Sequence, residues 1–187
     1  MAHHMSTDHI ILRRATPDDA SALSIFAARC FQETFGPDNK PSDMEAYLSE
    51  AFSPAAQAAE IADNTATVIL ALDHGASDGQ LAGYAHLVAD ETSIQLKRLY
   101  VDAPWKGCGL AVRFMDRIFE ECRQRGAGRI WLTVWMQNPR AIAFYEKTGF
   151  RVSGSETFML GEDAQTDHVM EMAVPQVSRA SASGLLR

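Results

Sequence analysis

The residues best suited to chemistry sit in one stretch: Leu99-Tyr100-Val101-Asp102-Ala103-Pro104-Trp105-Lys106-Gly107-Cys108-Gly109-Leu110-Ala111. A strand-like run ends at Val101, a loop carries two glycines, and an amphipathic helix begins. Glycine tolerates positive φ and lets a ligand approach the main chain. The first N–H groups of a helix lack internal partners, and with the helix dipole they attract an anion. Lys106 adds a full positive charge. Together these features predict a cradle for a phosphate or pyrophosphate, and hence an anionic cofactor. A dinucleotide fingerprint would need a third glycine where Val112 stands. A nucleotide P-loop would need Gly-Lys-Ser/Thr, which is absent. Cys108 has no recognisable histidine partner and reads as a small turn residue, not a nucleophile.

The frame that must position this loop is an ordinary globular chain. It has 187 residues, 47% hydrophobic and 22% charged, with a net charge of −7. That composition excludes a disordered segment, a disulfide scaffold, collagen and a coiled coil. Residues 6–174 are expected to form a single domain. No run of about 18 apolar residues occurs, so no membrane partner is expected. The acidic balance argues against a nucleic-acid partner. Cys30, Cys108 and Cys122 lack metal-ligand spacing, so no metal site is expected, and a reducing cytoplasm is predicted. Residues 1–5 read as an expression-tag remnant, and residues 175–187 as a flexible tail. The charge is unevenly spread: residues 1–96 carry net −10, residues 97–129 net +4, and residues 130–187 net −1.

Periodicity and punctuation predict the elements. Residues 9–14 read as a strand. Thr16-Pro17-Asp18-Asp19 opens a helix running to about Cys30, and Pro41 and Pro54 start two more. Strands follow at 66–72, 80–89 and 92–101, the first two joined by a turn at Asp78-Gly79. Residues 108–125 form a helix with Ala111, Phe114, Met115, Ile118 and Cys122 on its apolar face. Arg113, Asp116, Arg117, Glu120 and Arg123 occupy its polar face. Arg129 to Trp135 is a strand and Asn138 to Thr148 a helix ended by Gly149. Strands near 150–158 and 167–174 complete an α/β fold with a mixed sheet.

Two blocks carry a family resemblance. The first is Leu99-Tyr100-Val101 followed by Lys106-Gly107-Cys108-Gly109-Leu110-Ala111. The second is Asn138-Pro139-Arg140-Ala141-Ile142-Ala143-Phe144-Tyr145-Glu146-Lys147-Thr148-Gly149-Phe150. In this order and separation they resemble the GNAT N-acetyltransferase superfamily, with Lys106 replacing the usual Arg or Gln. The resemblance spans about residues 8–174 and is strongest over 92–151. It implies a mixed, mostly antiparallel central sheet of about seven strands, flanked by helices, with splayed central strands. It implies acetyl-CoA as cosubstrate. The N–H of Leu99 would polarise the acetyl carbonyl, and the backbone near Tyr100 and Val101 would run beside the pantetheine. Residues 106–111 would hold the pyrophosphate, with Asn138 as a further cofactor contact or a helix cap. Tyr145 would be the general acid for the departing thiolate.

The base is less legible. Gln95 stands where some members carry a Glu, and it can orient a water but not take a proton. His86, Glu33 and a water relay to bulk are the other candidates. Phe31-Gln32-Glu33-Thr34-Phe35-Gly36 and Phe158-Met159-Leu160-Gly161-Glu162-Asp163-Ala164-Gln165-Thr166-Asp167-His168-Val169-Met170 resemble the PaiA-type branch, which acetylates spermidine and spermine. That implies a small cationic amine substrate, possible contact residues Glu33 and Phe35, and an acidic wall from Glu33, Asp38, Asp43, Glu45 and Glu50. A protein N-terminal or Lys acetyltransferase and a non-catalytic CoA-sensing module are the alternatives. Many members dimerise, so a homodimer is left open.

Overall fold

The computed structural model describes residues 7–75, 79–161 and 163–176. The expected tag remnant, Asp78 of the hairpin turn, Glu162 and all of the expected tail but Pro175 and Gln176 lie outside them. Seven strands form one sheet: β1 (Ile10–Arg14), β2 (Ala66–Asp73), β3 (Gln80–Ala89), β4 (Ser93–Val101), β5 (Arg129–Trp135), β6 (Arg151–Leu160) and β7 (Asp163–Ala173). Their spatial order is β1-β2-β3-β4-β5-β7-β6, and only the β4–β5 pair is parallel. The helices are α1 (Ala20–Phe35), α2 (Pro41–Ala51), α3 (Pro54–Ala62), α4 (Leu110–Gln124) and α5 (Pro139–Thr148). The mixed seven-stranded architecture read from the sequence is thus the one observed.

The punctuation works as the residue chemistry requires. Pro41, Pro54 and Pro139 each open a helix, where a missing N–H costs nothing. The Asn138 side chain accepts from the Ala141 N–H at 3.1 Å, and Ser53 caps α3 in the same way. At Thr16, the N–H and hydroxyl both donate to the Asp19 carboxylate, at 2.7 and 3.0 Å. Pro17–Asp19 forms a short 3-10 turn before α1, and α1 then runs to Phe35, beyond the expected end at Cys30.

β2 shows how the sheet makes two cores. Val68 and Leu70 pack with α1 residues Leu23, Phe26 and Phe31, whereas Ile69 and Ala71 pack with Phe114 and Ile118 of α4. Alternate side chains of a strand leave opposite faces, so a strand covered on both faces must be apolar throughout. One buried charge interrupts the α4 side. Glu121 is 0% exposed and accepts from Arg14 and from Arg117. An unpaired carboxylate there would cost several kcal/mol, so the pair of guanidiniums is what makes the burial tolerable. Among the described residues no helix is long and apolar enough to cross a membrane.

Candidate active site

The site begins where two central strands part. β4 and β5 pair only over Ser93–Gln95 and Arg129–Trp131, then diverge. A bulge between His86 and Leu87 of β3 shifts the register opposite Lys97, just past the last paired residue. Bulges add twist and re-aim a strand. Beyond Gln95, β4 keeps β3 on one side, with Ala85 opposite Leu99 and Gly83 opposite Val101. Its other edge has no strand partner, so main-chain donors and acceptors face the cleft and need a ligand or water.

Two cavities fill this cleft. The larger, about 570 Å3, is lined by the ends of α1 and β4, the glycine loop and α5. The smaller, about 290 Å3, lies between the C-terminal end of α1, β4, β5 and the β6–β7 hairpin. They share Thr34, Leu99, Tyr100, Asn138, Ala141 and Tyr145. Any group passing from one ligand to another would pass at this seam.

Leu99, Tyr100, Val101, Lys106, Gly107, Gly109, Ala111 and Asn138 all line the larger cavity. Gly107 and Gly109 have φ of 89° and 90°, a conformation that side chains disfavour. No atom lies within 4 Å of where a Cβ would stand at either position, so the backbone is bare toward open space. Cys108 and Leu110 are placed differently. The Cys108 thiol donates to the Trp105 carbonyl at 2.8 Å, and the Leu110 side chain is fully buried in the core. Arg140 also lines this cavity, and sequence reasoning missed it. A cation in the first turn of a helix opposes the helix dipole, and that conflict was the available signal for an anionic ligand. The net +4 segment is only partly directed here. Arg98 and Arg117 are held by acids, and Arg113 donates to the carbonyls of Thr7 and Ile10.

Tyr145 is 9% exposed and packs edge-on against Phe144 and Phe150, at 5.4 and 5.6 Å. Burial raises its phenol above the ordinary range, so it stays protonated at neutral pH.

The smaller cavity is lined by Phe31, Phe35, Tyr47, Trp135 and Phe158, with Glu156 and Asp167 as its acids. Its closure depends on the hairpin tip. Gln165 donates to the Asn39 side chain at 2.6 Å, and Phe158 meets Tyr47 edge-on at 5.7 Å. A Cβ on Gly161 would lie 2.6 Å from the Asp43 side chain, so glycine permits that approach to α2. The two short runs that resembled one branch of the family, 31–36 and 158–170, therefore meet around one cavity. Phe35 lines it. Glu33 instead lines the larger cavity and pairs with Arg29 at 3.1 Å. Asp38, Asp43, Glu45 and Glu50 line neither cavity. The acidity facing the smaller cavity comes from the β6–β7 pair, not from the expected helical wall.

The base candidates also separate. Gln95 lines the smaller cavity, whereas His86 lines neither. His86 is 2% exposed, with Nδ1 3.4 Å from Glu60, which also binds Arg98 and Lys97. Burial lowers the His86 pKa to about 4; Glu60 opposes the shift, while Arg98 and Lys97 add to it. A neutral buried histidine makes stability depend on pH. Below about 6.5 the unfolded chain binds a proton that the folded chain refuses until about pH 4. Stability is therefore complete above pH 6.5 and falls through that window, by roughly 3 kcal/mol for this group alone. Urea midpoints measured from pH 7 to 4 should fall more steeply in the parent than in His86→Gln. Parallel curves would contradict a neutral His86.

The acetyltransferase (GNAT) family pattern matches residues 28–150. The chain belongs to the GNAT family. It is similar to an uncharacterized N-acetyltransferase of Mycobacterium tuberculosis, 35% identical over 153 residues, 81% of this chain and 96% of that protein. It is similar to the streptothricin acetyltransferase of Streptomyces lavendulae, 25% identical over 179 residues, 87% of this chain and 93% of that one. Its fold resembles a PaiA N-acetyltransferase from Thermoplasma acidophilum in complex with coenzyme A. The TM-score is 0.75 and the identity 21%, over 88% of this chain and 98% of that one. This GNAT protein is an acetyl-CoA-dependent N-acetyltransferase. Its residues fit that cosubstrate: bare glycine amides with Lys106 and Arg140 suit the phosphates, and the unpaired edge of β4 suits an amide-bearing arm.

Proposed function

We propose that this enzyme acetylates a primary amine of a small cationic molecule, with linear polyamines leading. The observation that carries the reading is the smaller cavity. Seven aromatic rings and two carboxylates line it, and it meets the cosubstrate cavity at Tyr145. Neither Glu156 nor Asp167 forms an ion pair among the described residues. The cations that line the same space, Arg98 and Lys97, are held by Glu60 at 2.6 and 3.3 Å. The net field there favours an ammonium, and aromatic faces add cation–π attraction while burying a methylene chain.

Acetyl-CoA, when bound, supplies an activated acetyl thioester. In the proposed arrangement the glycine loop, Lys106 and Arg140 hold its phosphates. The Leu99 N–H steadies negative charge on the acetyl oxygen, an effect worth a few kcal/mol. Tyr145 gives its proton to the departing sulfur. The acceptor stands in the smaller cavity, so both substrates are present together and no acetylated side chain is required.

Support for a polyamine comes from the two sequence runs around the cavity. A fold likeness to a spermidine N-acetyltransferase from Vibrio cholerae in complex with CoA and spermine is consistent with it (TM-score 0.63, 18% identity, 89% of this chain and 96% of that one). The streptothricin acetyltransferase similarity favours a second reading, a cationic natural product as acceptor. Thiol release with acetyl-CoA separates these readings. Spermidine and spermine should show the highest kcat/KM in a panel with streptothricin and a peptide bearing an N-terminal alanine. If no polyamine reacts, the polyamine reading fails. Preference for the peptide would identify a protein acetyltransferase.

A further inference from the structure

We propose that Asp167 is the catalytic base of this enzyme: it docks the substrate ammonium together with Glu156 and takes the proton that frees the amine for attack. The proposal rests on the cationic-amine reading of the smaller cavity and supplies the base that reading lacks.

Asp167 lies on β7, with Trp135 of β5 opposite it on one side and Glu156 of β6 opposite it on the other. Directly opposed residues in an antiparallel pair bring their side chains within about 5 Å on one face. Both carboxylates line the cavity that meets Tyr145 and Leu99. Glu156 is exposed and Asp167 half-buried, so the pair grades from solvent into the cavity. Two like charges facing each other, with neither ion-paired to a protein cation and with Lys97 and Arg98 held by Glu60, attract a ligand that carries a positive charge. The other titratable groups lining this space are Tyr47 from α2, Lys97, Arg98 and Tyr100 from β4, and Tyr145 from α5. His168 follows on β7 and slightly offsets the effect of Glu156 on Asp167. Burial first, and Glu156 second, hold Asp167 above the usual carboxylate range. A raised carboxylate is a better proton acceptor, narrowing the gap to an ammonium of pKa near 10.4.

The alternatives are worse placed. His86 lines neither cavity, Gln95 cannot accept a proton, and Glu33 lines the cosubstrate side and is paired with Arg29. The proton balance is complete. The ammonium carries three protons on nitrogen and the product amide keeps one. Asp167 takes the first and releases it to water past exposed Glu156. The C–N bond then forms and the C–S bond breaks. The second proton leaves nitrogen as Tyr145 protonates the sulfur, and it restores the phenol.

The test uses the full-length protein with acetyl-CoA and two probes, spermidine and the monoamine n-butylamine. Asp167→Asn should lower kcat about tenfold to a hundredfold. It should also replace the acidic limb that Asp167 sets in the kcat/KM–pH profile with one that rises toward the amine's own pKa, and leave acetyl-CoA affinity unchanged, which checks the fold. Asp167→Glu should recover the limb. With spermidine turned over, an unchanged kcat and acidic limb in Asp167→Asn overturn the base and leave the polyamine reading standing. With spermidine inert and n-butylamine turned over, the polyamine reading falls, and the same profiles decide on Asp167. Inertness of both amines overturns the proposal.

Discussion

Tyr145→Phe should lower kcat by about a hundredfold to a thousandfold while leaving the dissociation constant of acetyl-CoA within a factor of about two. The substitution removes one oxygen and keeps the ring. Phe144 and Phe150 still pack against it, so cavity shape and fold are preserved. A hundredfold loss corresponds to about 2.7 kcal/mol of transition-state stabilisation, more than the typical net contribution of one neutral hydrogen bond. Loss confined to kcat therefore points to proton transfer and not to packing. Burial keeps the phenol protonated, so no alkaline limb from Tyr145 should enter the rate profile near neutral pH. An unchanged kcat would remove Tyr145 from the mechanism.

Replacing both loop glycines, Gly107→Val with Gly109→Val, should weaken acetyl-CoA binding by about a hundredfold or more, read by calorimetry. Both sites have φ near +90°, where a β-branched residue is strained by about 1–3 kcal/mol. Nothing within 4 Å obstructs the new Cβ atoms, so steric clash with the fold is not the cause. The loop instead relaxes to ordinary dihedrals, and its amides turn away from the cavity. Because the loop faces open space, the thermal midpoint should move little. Unchanged affinity would show that the glycine amides do not hold the cosubstrate.

The parts of the fold written in local chemistry were legible in the sequence. Pro41, Pro54 and Pro139 open helices, Gly149 ends one, and β5 begins and ends where its residue pattern does. The loop glycines and Tyr145 lie in contiguous blocks, so their neighbourhood could be read before their geometry. What stayed hidden depends on distant partners. Glu121 looks like another polar residue of α4, yet Arg14, 107 positions away, makes its burial possible. The splay of β4 from β5 opens the cleft that holds both cavities, and Glu33 lines one while Phe35, two residues on, lines the other. Glu156 and Asp167 gain meaning only when the β6–β7 hairpin tip locks onto Asn39, in the turn before α2, and onto Asp43 and Tyr47 of α2. Net charge over a segment could not show this, because it counts Arg98 and Arg117 as free cations when the fold pairs both with acids.

In the proposed mechanism, two cavities meeting at Tyr145 hold acetyl-CoA and a cationic amine at the same time, with direct transfer between them. Initial rates of thiol release, with acetyl-CoA and spermidine varied together, test it most directly. Double-reciprocal lines should intersect, as a ternary complex requires. Parallel lines, the mark of a covalent acetyl-enzyme, would contradict it.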